Sequence, residues 1–335
     1  MFTALLYLLQ TGLLQKVIII TRLLLGGCQM SDIHVPIGST LKKIRENKGY
    51  TQKEISDDTM ARSTYTKFEN DDITPTLSKY LAILDHMDMT HDEFIYILND
   101  CELGQKETIL YLFKQLEKKP TRELLDEIIE KGEELVRKRY DQLTMDILDA
   151  CRGYIVLLDE HDLTKAKDYA KQVWKRMETL DNWYLAELHI MNSILYLFDS
   201  ETASRLTDRA LSNLAQYPNI EETITLKISF LLHVTNLLMI DKKYEQALFY
   251  IKQMETESSQ NDCSVMLAIS LVRKEVCMTK TGDTSEPGLI DRAIHILDSL
   301  NKHDLKALLE KDPENFFNLY SSNPKDNVKT EILIS

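Results

Sequence analysis

Beyond residue 105 the chain runs as one helical pattern after another, each about 15–20 residues long and amphipathic, joined by polar links such as 159–162, 241–243 and 281–287. No segment sustains the two-residue alternation of a half-buried strand, so no strand is expected and helix must pack on helix. With only 10 Gly and 7 Pro in 335 residues, the chain is neither disordered, fibrous nor built from many tight turns. A hydrophobic content of 44% is enough for one large or two modest domains with cores of their own.

The long helices repeat weakly. In DLTKAKDYAKQV (162–173), SETASRLTDRAL (200–211), KKYEQALFYIKQ (242–253) and EPGLIDRAIHIL (286–297), a polar corner leads into a helix with one apolar stripe. Taking Ala166, Ala203, Ala247 and Ala293 as register marks gives intervals of 37, 44 and 46 residues. These bracket helix-pair repeats of tetratricopeptide or HEAT size. The expectation is an all-α chain whose residues 105–320 form a right-handed, tetratricopeptide-like solenoid with a concave face; an irregular helical domain is the alternative.

Residues 35–99 read differently, as five short helices at 37–47, 51–59, 62–69, 76–87 and 91–98. The boundary falls near 100–104, where a bridging helix is expected. Residues 321–335 form a polar tail. Residues 1–29, MFTALLYLLQTGLLQKVIIITRLLLGGCQ, are apolar but interrupted by Lys16 and Arg22, and they lack the basic start of a signal peptide. They are expected to be an upstream extension outside the working protein; a membrane-associating helix or a helix buried at an interface are the alternatives.

Within 35–99, Thr51 followed by Glu54 forms a capping box that starts the second helix. Ile55 and the methyl of Thr59 can face a core, with Lys53 and Asp57 outward. After a turn over 59–61, Tyr65 and Phe68 share a buried stripe on the third helix. That leaves Arg62, Ser63, Thr66 and Lys67 exposed. The first helix gives Ile37, Leu41 and Ile44 to the core and shows Lys42, Lys43 and Lys48 outward. Leu77, Leu81 and Leu84 complete the expected core. Two short helices across a tight turn make a helix-turn-helix, which offers its second helix to a major groove. Charge agrees only in part. Residues 41–53 carry five Lys or Arg against one Glu, whereas 31–99 hold 8 basic and 12 acidic residues and the whole chain has a net charge of −13. The acids at 57–58, 71–72 and 85–93 would have to face away from DNA.

The run R-x-x-x-G-x-T-Q at 45–52 and ARSTYTKFE at 61–69 resembles the Xre-type helix-turn-helix of phage repressors, and more closely the Rgg/GadR/MutR family of transcriptional regulators. The resemblance spans about 35–317 and is diffuse after residue 105. It departs from the family pattern at Thr59 and Asp71, where Gly is usual, and at Ala61, where Ser or Thr caps the helix. It implies a homodimer that reads near-palindromic promoter DNA, while the odd number and wide spacing of the cysteines point to a reducing cytoplasm. A short hydrophobic peptide would be held in the concave face of the second domain, with RNA polymerase as a further contact.

By the resemblance, Arg62 and Ser63 lie at base edges, where an arginine can pair with guanine O6 and N7. Thr66 and Lys67 follow as DNA contacts, and Gln52 holds a phosphate. Lys42, Lys43 and Lys48 add nonspecific attraction. Arg45 and Glu69 are implied to form a structural salt bridge, so removing either should loosen the domain. In the second domain, Arg152, Asn192, His233 and Asn236 interrupt apolar helical runs. Such groups need partners when buried, so they either tie helices together or line the peptide groove. Trp183, Tyr184, Tyr196 and Phe230 are expected in the core. The sequence holds no Gly-rich phosphate loop, HExxH or GxSxG, and its five cysteines show no C-x-x-C, so neither enzyme, cofactor nor metal is expected.

Overall fold

The structure, a computed structural model, describes residues 35–118, 121–311 and 313, without the side chains of 117 and 118. The expectations for 1–29 and 321–335 lie outside them. The described chain divides into two units, one ending at Leu103 and the other starting at Gly104. Every regular element described in either is helical.

The first unit holds α1 (Ile37–Asn47), α2 (Gln52–Ser56), α3 (Arg62–Glu69), α4 (Leu77–His86) and α5 (His91–Leu98). The capping box at the start of α2 is complete: Thr51 Oγ1 accepts from the Glu54 N–H, and Glu54 accepts from the Thr51 N–H. The helix is shorter than the 51–59 expected, because Ser56 is its last residue and the left-handed Asp58 lies beyond it. The core joins Leu41, Ile44, Ile55, Tyr65, Phe68, Ile83, Leu84, Met87 and Phe94, with Ile37 packed at its edge.

Leu77 and Leu81 are not in that core; they are 71% and 48% exposed. The inward stripe running from α4 into its C-cap is Tyr80, Ile83, Leu84 and Met87, which keeps Leu84 and turns Leu77 and Leu81 outward. Phe94 of α5 packs against it, its ring T-shaped to that of Tyr80 at a centroid distance of 5.7 Å. Residues 99–104 are turn and coil with left-handed Asp100 and Cys101, so the bridging helix is absent.

The second unit runs through α6 (Gln105–Lys118), α7 (Arg122–Lys138), α8 (Gln142–Asp159), α9 (Leu163–Met177), α10 (Leu185–Ile194), α11 (Ser200–Leu214), α12 (Glu221–Ile240), α13 (Tyr244–Gln260), α14 (Ser264–Thr281), α15 (Leu289–Ser299) and α16 (His303–Lys311). One 3₁₀ turn, Leu195–Leu197, follows α10. Thr121, Asp141, Asp162 and Asp199 cap α7, α8, α9 and α11 through their side chains, fixing where each helix begins.

The four register alanines fall on α9, α11, α13 and α15, all fully buried, so each marks the second helix of a pair. The first helices form their own row. α8 packs on α10, and α10 on α12; α14 joins through Arg273, which donates to the Leu232 carbonyl of α12 at 2.6 Å. This is a stacked helical repeat. Trp183, Tyr196 and Phe230 are buried in it, but Tyr184, expected beside them, is 63% exposed at the N-cap of α10. Cys151 and Cys277 are core residues whose thiols burial pushes up to about 12, while Cys101 is exposed.

Candidate functional site

The α2–α3 corner is built around one buried carboxylate. Glu69, on the inner face of α3, accepts from Arg45 Nε at 2.5 Å and Arg45 Nη2 at 3.1 Å. The same guanidinium donates to the Tyr50 carbonyl at 2.8 Å, so one side chain joins α1, the α1–α2 loop and α3. That hydrogen bond to Glu69 holds the Arg45 pKa above its ordinary value. Burial, with the Glu69 charge next in weight, raises the phenol of Tyr65. Gln52 completes the cluster: its Nε2 donates to Glu69 Oε2 at 2.7 Å, and its Oε1 accepts from the Thr66 hydroxyl at 3.2 Å.

With Tyr65, Phe68 and Glu69 turned inward, Arg62, Ser63 and Lys67 are exposed on the other side of α3, and Thr66 is half-buried between the two faces. Nothing caps α3, since Ala61 has no side-chain acceptor. Lys43 and Lys48 are exposed and Lys42 half-buried; Lys48 Nζ also donates to the Asp88 carbonyl at 3.2 Å. The acids divide. Asp71 turns inward, accepting from the Gly38 N–H at 2.6 Å and the Ser39 N–H at 3.2 Å, and so caps α1, whose own N-cap is Pro36. Asp57 and Asp58 instead remain exposed at the turn and line one shallow depression with Lys53 and Arg62. They therefore border the start of α3 and do not face away from it as expected.

In the second unit the four embedded polar residues lie on the first-helix row. Arg152 of α8 is half-exposed and pairs with Glu133 at 3.0 Å and Asp149 at 3.1 Å. Asn192 of α10 is only 1% exposed and donates to Ser229 of α12 at 2.9 Å, which ties two helices together. Asn236 is buried. His233 is half-buried, and desolvation, with the Arg273 charge second, pushes its pKa down to about 4, so it is neutral near pH 7. Arg273, fully buried and donating to Thr235 and the Leu232 carbonyl, was missed. In the sequence it opens the charged triplet Arg273-Lys274-Glu275, so it does not stand out as an isolated polar group in an apolar run. Among the described residues no group of three or more His, Cys, Asp or Glu is placed to hold a metal ion.

Two family models match the chain. The C-terminal domain of the HTH-type transcriptional regulator Rgg covers residues 122–311, and a helix-turn-helix model covers 41–94. No curated protein matches the sequence. Among solved structures, a transcriptional regulator from Listeria monocytogenes EGD-e is similar with a TM-score of 0.68 and 19% identity, over 88% of this chain and 99% of that one. The Streptococcus dysgalactiae SHP pheromone receptor Rgg2 gives 0.62 and 14%, over 82% and 97%. Bacillus thuringiensis PlcR, solved with the peptide PapR7 and DNA, gives 0.60 and 19%, over 82% and 99%. At these identities the likeness is one of fold.

Proposed function

The chain belongs to the Rgg family of helix-turn-helix transcriptional regulators, and we propose that it works as a cytoplasmic homodimer whose grip on promoter DNA is set by a short hydrophobic peptide. The observation that carries the DNA half is the split of α3, with Arg62, Ser63 and Lys67 exposed opposite a face anchored by Tyr65, Phe68 and Glu69. A helix so divided can enter a major groove without giving up its own packing. Arg62 reads a base edge, Lys67 takes a base or a phosphate, and Lys42, Lys43 and Lys48 supply salt-sensitive attraction. Asp57 and Asp58 reduce that attraction locally.

The peptide half draws support from the fold shared with PlcR, solved in complex with a peptide and DNA, and with a pheromone receptor. The row of first helices offers Arg152 and His233 as its more accessible polar groups, whereas Asn192 and Asn236 would have to be uncovered first. RNA polymerase is a further partner if the protein activates transcription.

One binding experiment tests both halves. Duplexes are selected from a randomised pool with the full chain, and selection is repeated with Arg62→Ala. The expected result is a weaker complex, by about 5–150-fold, with lost preference at one base position. Adding short apolar peptides encoded near the gene should change the DNA affinity of the wild type by a similar factor. Unchanged base preference in the variant rejects the DNA reading. No response to any such peptide rejects the peptide reading alone.

A further inference from the structure

We propose that Thr66 and Glu69 are positioning residues that aim the Gln52 amide at a DNA phosphate. Thr66 then acts through Gln52 and does not itself touch a base. The inference rests on the reading above that α3 faces DNA, and it concerns what the α2–α3 corner does once there.

A carboxylate has only acceptors, so Glu69 decides which end of the Gln52 amide faces it. The 2.7 Å contact must be Nε2–H to carboxylate oxygen, because the opposite orientation would set two oxygens against each other. Glu69 is itself held by the Arg45 fork and is fully buried, so this reference point does not move with the surface. The Thr66 hydroxyl, which can donate or accept, is compatible with that orientation and donates to Gln52 Oε1 at 3.2 Å. An amide nitrogen carries two N–H groups, and Glu69 takes one of them. With the oxygen turned to Thr66, the second N–H is the group that the half-exposed Gln52 offers to an anion. An unpinned amide would spend part of its time flipped, presenting a carbonyl oxygen to the phosphate and repelling it.

The link also runs to the reading helix. The Thr66 hydroxyl has one hydrogen and two acceptors within reach, Gln52 Oε1 and the Arg62 carbonyl at 3.0 Å. Its other acceptor is thus the backbone of the residue proposed to read a base. Donation to Gln52 and donation to the Arg62 carbonyl therefore compete for one hydrogen.

The test uses the full chain and a duplex selected by it, with each phosphate replaced in turn by a neutral methylphosphonate. In the wild type, one phosphate should cost about tenfold or more when neutralised, the size of a hydrogen bond to a charged group. In Gln52→Ala that phosphate becomes silent. In Thr66→Val its penalty should fall at least threefold, while penalties elsewhere and the base preference at the Arg62 position stay as they were. Thr66→Ser, which keeps the hydroxyl, should restore it. A Thr66→Val protein that keeps the full penalty overturns the inference, as does a Gln52→Ala protein with an unchanged pattern; in both cases the DNA reading survives if Arg62→Ala still alters base preference. If Thr66→Val weakens every phosphate alike, Thr66 is merely structural and the proposal is wrong. If the wild type binds no duplex, both fall.

Discussion

Asp71 sits at φ 61°, in the left-handed region that costs most side chains about 1–2 kcal/mol, yet its carboxylate caps α1. The two effects oppose each other at one residue. Family resemblance reports Asp71 only as a departure from glycine, because the compensating contact is 33 residues away in sequence. Asp71→Ala keeps the strain and loses the cap, so it should destabilise the first unit by about 1–2 kcal/mol in urea unfolding. Asp71→Gly relieves the strain as it loses the cap and should fall within about 0.5 kcal/mol of the wild type. Equal losses in the two variants would show that the cap alone matters. Gly38, which receives this cap, has no such freedom: a Cβ there would lie 1.7 Å from the Phe68 carbonyl oxygen, and that backbone contact is what lets α1 approach α3.

At the scale of the element, what was legible depended on whether the deciding group was local. The starts of α2 and α3 could be read because Thr51, Glu54 and the polar turn lie within a few residues of them. The inward stripe of α3 could be read because Tyr65 and Phe68 are its only large apolar side chains. α4 was different. Leu77, Leu81 and Leu84 make as good a helical stripe in sequence as Tyr80, Ile83, Leu84 and Met87, and only packing against the rest of the core, Ile55 and Phe94 included, selects between them. Leu81→Ser should therefore change stability by no more than about 0.5 kcal/mol, and Ile83→Ala should cost about 2–5 kcal/mol. A large loss in Leu81→Ser would mean that this face is covered when the protein is in solution. The Gln52–Glu69–Thr66 cluster was legible only as separate residues, since nothing in their spacing says that one carboxylate serves both Arg45 and Gln52.

Over the whole molecule, four alanines at irregular intervals sufficed to find the helix pairs, because a second helix must come close to its neighbour and a small buried residue permits it. Composition misleads more easily. α12 is long and apolar enough to cross a membrane, yet half of it is buried, and α10, α11 and α13 all pack on it. Its apolar run is that of a central helix in a stacked repeat, and Asn192 and Arg273 bind it from either side. Family membership explains why such a repeat follows a helix-turn-helix in one chain. A crystal structure of the full chain on its selected duplex would show whether α3 enters DNA with its Arg62 and Lys67 face. The expected result is α3 in the major groove, the Arg62 guanidinium within about 3 Å of a guanine edge, and Lys67 on a base or phosphate one turn along. A complex in which α3 lies off the groove, with both side chains turned to solvent or to the protein, would contradict it.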